Sequence, residues 1–208
     1  AFLLPDLTEL NLSENRLKQS IPSSLGELSS LTFLSLHYNE LDSTIPPQLG
    51  QLSQLSHLDV GNNYLLHGWI PTELCKLVLT KLDVANNVIV GTLPSCLGQM
   101  SKLLELLTDG NRITGTIPPS IGSLVQLEKL SLFYNSQLRG EVPSSICNMV
   151  SLTYIDVSEG LLTGSLPTCI GSLTALRYVT FSANMLTGSI PSSITRGSLA
   201  LGAYFTRN

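Results

Sequence analysis

The sequence predicts an α/β solenoid of about eight repeats of about 24 residues, with a parallel β-sheet on one face and short helical turns on the other. One segment, LLELLTDGNRITGTIPPSIGSLVQ at 103–126, has near-copies throughout the chain. The repeats begin near residues 7, 31, 55, 79, 103, 127, 152 and 176. Because self-similarity at a fixed period of this length is typical of stacked repeats, each repeat is interpreted as one rung.

Each rung opens on three apolar positions, for example Leu79, Leu82 and Val84. The last two are two residues apart, which is the period of a β-strand. Successive strands run in the same direction, so we expect one long parallel sheet with neighbours about 4.8 Å apart. The 103–126 repeat is irregular here, because Thr108 takes an inward position and Leu107 an outward one.

A polar position follows each strand, and seven of the eight rungs carry asparagine there. The eight residues, one for each of rungs 1 to 8, are Asn15, Asn39, Asn63, Asn87, Asn111, Asn135, Gly160 and Asn184. A buried Asn side chain can pair backbone groups that a sharp turn leaves unsatisfied. We therefore expect an internal ladder that serves its own rung and the next, without ligand contact.

An apolar residue followed by proline occurs in the second half of every rung. The eight dyads are 21–22, 45–46, 70–71, 93–94, 117–118, 142–143, 166–167 and 190–191. Proline lacks an N–H and has a restricted φ, so it suits the start of a short helical turn. Residues such as Leu49, before Gly50, are expected to pack that turn inward.

Length and composition limit the number of domains and the classes of partner. The repeat phase runs through the 208 residues, so we expect a single domain, 1–208, with a truncated ninth strand at 199–208. The eleven basic residues are scattered and are outnumbered by fifteen acidic ones, which disfavours nucleic acid. No apolar run reaches 18 residues, so we expect no membrane insertion within this segment. The sequence does not indicate an oligomeric state.

The full pattern, L-x-x-L-x-L-x-x-N-x-L-x-G-x-(I/L)-P-x-x-(L/I)-G-x-L, resembles the plant-type leucine-rich repeats of receptor-kinase ectodomains, receptor-like proteins and polygalacturonase-inhibiting proteins. The Gly-x-Ile-Pro part, seen at 91–94, 115–118, 140–143, 164–167 and 188–191, distinguishes this subclass. The resemblance implies a right-handed superhelix with the sheet on its concave face and 3-10 or α turns on its convex face. It also implies an extracellular or secretory location, possibly as the ectodomain of a membrane protein. The cysteine pairs that usually cap such ectodomains are missing, so we expect a fragment.

Four cysteines, Cys75, Cys96, Cys147 and Cys169, fall in the helical turns. Of the three possible pairings, those that join Cys75 or Cys96 to a later pair must cross two or more rungs, which is farther than a disulfide reaches. We expect Cys75–Cys96 and Cys147–Cys169, and hence an oxidising compartment. The alternative is four unpaired buried thiols, whereas zinc would need ligands that cluster more tightly.

Motifs for enzymes and cofactors are absent: H-E-x-x-H, G-x-S-x-G and a phosphate-binding glycine loop do not occur. His37 and His57 lie one rung apart without a third ligand in register, and we interpret them as solvated surface. We expect no catalysis, no cofactor and no metal. One glycosylation sequon, Asn11-Leu12-Ser13, places Asn11 on the outer side of the first strand.

The outward strand positions form columns along the sheet, and we expect ligand binding there. An acidic patch places Asp59 beside Asp83 at about 5 Å, with Asp109 one column over and Lys81 partly offsetting their charge. A second patch gathers aromatic residues around Asp156, and exposed aromatic clusters are typical interface anchors. The predicted ligand-binding residues are Tyr38, His57, Asp59, Lys81, Asp83, Asp109, Phe133, Tyr134, Tyr154, Asp156 and Tyr178.

The sequence therefore favours a non-catalytic recognition scaffold that binds a protein or peptide on the concave sheet. A first alternative is an inhibitor of a secreted polysaccharide-degrading enzyme, and another is a structural subunit of a larger assembly. A third is ice or polysaccharide binding through a column of mostly small hydroxyl residues that Trp69 and Glu141 interrupt. That column is Ser20, Thr44, Trp69, Thr92, Thr116, Glu141, Ser165 and Ser189.

Overall fold

The computed structural model, which describes residues 4–195 and 203–204, contains one long parallel sheet of nine described strands. Leu34 pairs with Leu58 and Leu58 with Leu82, so equivalent residues of successive rungs lie side by side. The predicted α/β solenoid is confirmed. The strands of this sheet are Glu9–Asn11, Phe33–Ser35, His57–Asp59, Lys81–Asp83, Glu105–Leu107, Lys129–Ser131, Tyr154–Asp156, Tyr178–Thr180 and Ala203–Tyr204.

The last of these strands, Ala203–Tyr204, pairs with Tyr178–Thr180. It falls within the ninth strand that the sequence predicts at 199–208. The other residues of that segment lie outside the described part of the chain.

The ladder asparagines pair backbone groups, as expected. Asn63 donates its Nδ2 to the carbonyl oxygens of Val60 at 2.9 Å and of Leu36 at 3.2 Å. Its Oδ1 accepts the N–H of Leu41 at 3.1 Å. Leu36 and Leu41 belong to the preceding rung, so each asparagine reaches back rather than forward, because those are the groups that lie beside its side chain.

Gly160 breaks the ladder in rung 7 for a steric reason. A Cβ at this position would lie 2.9 Å from Oδ1 of Asn184 and 3.1 Å from the carbonyl oxygen of Leu138. The strand in the preceding rung, Asn135–Glu141, also shifts register between Asn135 and Gln137. A larger side chain at 160 therefore has little room.

All helices in the described residues are short 3-10 helices on the face opposite the long sheet. Pro46 precedes one of them with φ −67°, and its carbonyl oxygen accepts the N–H of the buried Leu49 at 3.1 Å. A Cβ on Gly50 would lie 2.6 Å from the carbonyl oxygen of Glu73, so glycine lets adjacent helices approach closely. The helices are Ser23–Glu27, Pro47–Gln51, Thr72–Lys76, Ser95–Gln99, Pro119–Ser123, Ser144–Asn148, Ile170–Ser172 and Ser192–Thr195.

Two disulfides replace this close helix contact at two places. Cys75 and Cys147 occupy the position that glycine has in other rungs. Cys75 is bonded to Cys96 with their Cα atoms 5.8 Å apart, and Cys147 to Cys169 with theirs 5.9 Å apart. Each bond links the helix of one rung to the helix of the next.

Additional short strands, which the sequence analysis does not predict, form two flank sheets between the long sheet and the helices. They are Lys18–Gln19 and Glu40–Leu41 in one, and Asn111–Gly115, Asn135–Glu141 and Leu161–Thr163 in the other. The glycine of Gly-x-Ile-Pro ends the strand Asn111–Gly115 with φ +76°. A Cβ there would lie 2.8 Å from Cγ2 of Thr92, so the hydroxyl column packs against the glycines of the following rungs.

Candidate ligand-binding surface

The residue immediately before the ladder position has positive φ in all eight rungs. These residues, with φ between 52° and 63°, are Glu14, Tyr38, Asn62, Asn86, Gly110, Tyr134, Glu159 and Ala183. Glycine and asparagine tolerate this conformation, whereas a bulky residue adopts it at a cost of about 1 to 2 kcal/mol. Tyr38 and Tyr134 adopt it with 54% and 56% of their surface exposed, so burial of their rings does not offset that cost.

Phe133, Tyr134, Tyr154 and Tyr178, here called the aromatic cluster, lie together on the concave face. Tyr154 and Tyr178 are register partners on adjacent strands. Their rings stack with centroids 4.6 Å apart and an interplanar angle of 7°. The ring of Phe133 lies 5.8 Å from that of Tyr134. The four aromatic residues that the sequence predicts as one patch thus form two ring pairs on rungs 6 to 8, and Phe133 and Tyr178 line one common depression.

Two neighbours hold Tyr154 in place. Nζ of Lys129 lies 5.3 Å from the centre of its ring, and its hydroxyl lies 3.4 Å from Oδ2 of Asp156. Burial, together with the nearby Asp156 carboxylate, raises the pKa of Tyr154 to about 12. At neutral pH the hydroxyl is therefore protonated and can donate a hydrogen bond.

The acidic patch is paired within the protein. Asp59 and Asp83 are register partners, and Nζ of Lys81 lies 3.1 Å from one carboxylate and 3.3 Å from the other. Burial and the adjacent Asp59 raise the pKa of Asp83. Burial lowers the pKa of Lys81, but the two carboxylates outweigh it and the pKa is raised overall. Lys81 thus supplies a cation to both carboxylates from within the protein.

The aspartates at the ends of these strands also cap the turns that follow. Oδ1 of Asp59 accepts the N–H of Gly61 at 3.1 Å, and Asp83 does the same for Ala85. Asp156 accepts the N–H of Ser158 at 3.0 Å. Because a short polar side chain commonly closes a turn in this way, these aspartates have a structural role that column positions alone do not reveal.

Asp109 lies in the outward column next to that of Asp59 and Asp83 and is half-buried. Burial raises the pKa of its carboxyl group, partly opposed by a hydrogen bond from Ser131. The nearby Asp156 carboxylate acts in the same direction as burial. Asp109 thus interacts electrostatically with Asp156, which also influences Tyr154.

The two concave-face histidines are half-buried rather than fully solvated. His57 stacks on Phe33 with ring centroids 4.3 Å apart, and burial followed by Lys81 lowers its pKa. Nδ1 of His37 lies 3.2 Å from Oδ1 of Asp59. Both rings pack against neighbouring rungs, which their positions in the strand columns do not show.

Tyr64 is the main residue that the predicted site lacks. Its ring meets Tyr38 edge-on at 6.5 Å, and both line an open depression of about 910 Å³ with Glu14, Arg16 and Glu40. Pro71 follows Asn63 by eight positions, whereas Pro46 follows Asn39 by seven. Rung 6 has the same eight-position spacing from Asn135 to Pro143, so the extra residue marks a longer flank loop but does not by itself identify Tyr64.

Two other predicted features take defined positions. Asn11 is exposed, and its Oδ1 accepts hydrogen bonds from the N–H and the hydroxyl of Ser13. Its glycosylation stays a prediction. Trp69 projects from the hydroxyl column with 64% of its surface exposed, so the column is not a flat hydroxyl array.

Comparison with known proteins places the chain in a repeat family. The family model described as Leucine Rich Repeat matches residues 6–28, 30–52, 54–77, 78–100 and 102–124. A comparison with curated protein sequences finds no match. No helix among the described residues is both long enough and apolar enough to span a bilayer.

Several solved structures are similar over nearly the whole chain. The plant peptide hormone receptor RGFR1 in complex with RGF2 is 35% identical with a TM-score of 0.95, over 98% of this chain and 32% of that one. The complex PEPR1-AtPEP1 is 33% identical with a TM-score of 0.89, over 96% of this chain and 28% of that one. A plant ice-binding protein is 25% identical with a TM-score of 0.68, over 99% of this chain and 74% of that one.

This chain spans about a third of the length of the two receptor chains, so the similarity concerns a part of each. The matched repeats cover more than half of this sequence, and the similar structures contain the same rung. The chain belongs to the leucine-rich repeat family.

Proposed function

We propose that this chain is a non-catalytic recognition scaffold that binds a protein or peptide ligand on its concave sheet. The stacked pair Tyr154 and Tyr178 carries the proposal. Two aromatic rings held parallel on adjacent strands form a preorganised anchor of the kind that dominates binding energy at interfaces.

The similar structures support a peptide or protein as the ligand. RGFR1 is a peptide hormone receptor in complex with RGF2, and another similar structure, the Arabidopsis receptor kinase HAESA, is in complex with the peptide hormone IDA and the co-receptor SERK1. The two disulfides support an extracellular or secretory location.

The test uses a displayed library of random linear peptides, selected on the immobilised chain. Peptides that bind the wild type should lose at least about tenfold in affinity, or about 1.4 kcal/mol, against the double variant Tyr154→Ala/Tyr178→Ala. Trp69→Ala removes an equally exposed aromatic residue from the flank and should leave the affinity unchanged.

Circular dichroism would show that each variant keeps its fold. Selected peptides that bind the double variant as tightly as the wild type would contradict the proposal. Failure to select any peptide for the concave face would contradict it as well.

Ice or polysaccharide binding is a second candidate, because one similar structure is a plant ice-binding protein. The hydroxyl column would be the binding surface, and Trp69→Thr would extend it. Thermal hysteresis that increases in this variant would support the role, whereas an absence of hysteresis in both proteins would exclude ice.

An inhibitor of a polysaccharide-degrading enzyme would be expected to present a strongly charged concave patch. Lys81 pairs with both Asp59 and Asp83, so these carboxylates do not form such a patch. The geometry therefore supports the peptide-binding role better.

A further inference from the structure

We infer that an acidic depression beside the aromatic cluster binds a cationic side chain, lysine or arginine, of the peptide ligand. Phe133, Asp156, Glu159 and Tyr178 define this depression, which has a volume of about 510 Å³. The inference rests on the proposed function and specifies the ligand chemistry at one end of the same surface.

Asp156 is central to this inference, because its carboxylate has no cationic partner among the described residues. Only 8% of its surface is exposed. Its Oδ1 accepts hydrogen bonds from the N–H and the hydroxyl of Ser158, at 3.0 and 2.6 Å. Within residues 4–195 no basic group lies at ion-pair distance from it.

The equivalent residues of other rungs show what such a carboxylate ordinarily has. Asp59 and Asp83 take the same strand position and are equally buried, but Lys81 bridges both. A buried carboxylate is costly unless hydrogen bonds and a cation compensate it. Asp156 has the hydrogen bonds without the cation, so a ligand can supply the missing charge.

Neighbouring charges make the depression acidic rather than neutral. Glu159 lines it, is exposed, and forms no ion pair with any described residue. Apart from Asp156 and the two aromatic residues, the other described lining residues are small and uncharged. Lys129 lies over the ring of Tyr154, with Nζ 5.3 Å from the ring centre, and is not among the described residues that line the depression. The described part of the lining thus carries two negative charges and no positive one.

The aromatic walls suit the same occupant. Phe133 and Tyr178 both line the depression, and ring faces attract ammonium and guanidinium groups, most strongly when these are partly desolvated. A carboxylate below aromatic rings recognises an organic cation on a flexible stem. A metal ion fits less well, since no group of three or more His, Cys, Asp or Glu within the described ranges could hold one.

The test titrates two synthetic probes into the isotope-labelled chain and follows its NMR signals. One probe is a blocked pentapeptide with a central arginine among glycines, and the other carries citrulline, which has nearly the same shape without the charge. The arginine peptide should shift signals of Phe133, Glu159 and Tyr178. It should bind at least about tenfold more tightly than the citrulline peptide, since a charge-assisted contact is lost in the latter.

Three single variants locate the effect. Asp156→Asn keeps an oxygen that can accept the N–H of Ser158, and it should lower the affinity for the arginine peptide about tenfold. Glu159→Gln should lower that affinity about fivefold. Glu141→Gln removes the same charge as Glu159→Gln, but from the exposed flank, and should change nothing.

Equal affinities for the arginine and citrulline peptides would overturn the inference. So would unchanged binding in both Asp156→Asn and Glu159→Gln, or calcium shifting the same signals in place of the peptide. The library peptides distinguish the two failures. If one of these contrary results is found but the library peptides still lose affinity in Tyr154→Ala/Tyr178→Ala, the proposed function survives and only the cationic site fails. If binding ignores the two tyrosines, the proposed function fails.

Discussion

At the scale of single residues, a few polar side chains determine whether the buried polar groups of a rung are hydrogen-bonded. Asn63 makes bonds to its own rung and to the preceding one, and thereby pairs buried backbone groups that no strand reaches. Thr108 is the opposite case. It is fully buried, and its hydroxyl is the one buried side-chain oxygen or nitrogen in the described residues without a hydrogen-bond partner.

Thr108→Val should therefore stabilise the protein. Valine has nearly the same shape, occupies the equivalent inward position in rungs 3 and 4 as Val60 and Val84, and removes an unpaired hydroxyl. We expect a gain of about 1 to 2 kcal/mol in the free energy of unfolding, measured by urea denaturation.

The matched control for this substitution is Thr114→Val, because that hydroxyl donates to the carbonyl oxygen of Gly91 at 3.1 Å. The free energy of unfolding of this control variant should decrease by up to about 1 kcal/mol. A destabilised Thr108→Val protein would show that the hydroxyl has a partner, such as a bound water.

At the scale of elements, the 3-10 helices pack in two ways. Where glycine follows the buried Leu or Ile, adjacent helices approach to backbone contact, as at Gly50. Where cysteine takes that position, as at Cys75 and Cys147, a side chain lies between the helices and a covalent bond links them. The disulfides thus hold the convex face where close helix packing is sterically prevented.

Removal of one bridge by Cys75→Ala/Cys96→Ala should lower the free energy of unfolding by about 3 kcal/mol, the value expected for a short closed loop. The bridged cysteines are 21 positions apart. Urea denaturation would measure this decrease. The wild-type protein treated with reductant should show a larger decrease in the free energy of unfolding, because both disulfides are then reduced. Free thiols that react with an alkylating reagent before reduction would contradict the pairing.

At the scale of the whole molecule, each rung contacts its neighbours and little else. The long sheet is ordered along the chain, and its described strands pair only with those of adjacent rungs. Stability in such an array is close to a sum of rung and interface terms. The aromatic cluster spans rungs 6 to 8, whereas the lysine-bridged aspartates lie in rungs 3 and 4, so the two regions are supported by different interfaces.

Hydrogen exchange should show this gradient in the 208-residue chain. Amides of rungs 3 to 5, such as those of Asn63, Ile89 and Ile113 that donate to ladder asparagines, should exchange most slowly. Amides of rung 1 should exchange faster, because one side of that rung has no neighbour in this chain. Uniform protection along the chain would indicate a single cooperative unit instead.

The periodic features could be predicted from the sequence alone. The strands, the ladder, the proline turns and the adjacency of Asp59 to Asp83 and of Tyr154 to Tyr178 all follow from one repeat length, because equivalent positions of successive rungs must lie side by side. The pairing of cysteines one rung apart follows from the same register.

What only the tertiary structure decided depends on side-chain reach across rungs. The sequence places Lys81 near the aspartates, but only the folded chain shows that it bridges both of them. The same holds for the contact of His37 with Asp59 and of Tyr64 with Tyr38. Burial decided the rest. Asp156 has the same strand position as Asp59 and Asp83, but only the folded chain shows that it is buried without a cation from residues 4–195. The reason is that charge pairing is set by distances that a repeat length does not specify.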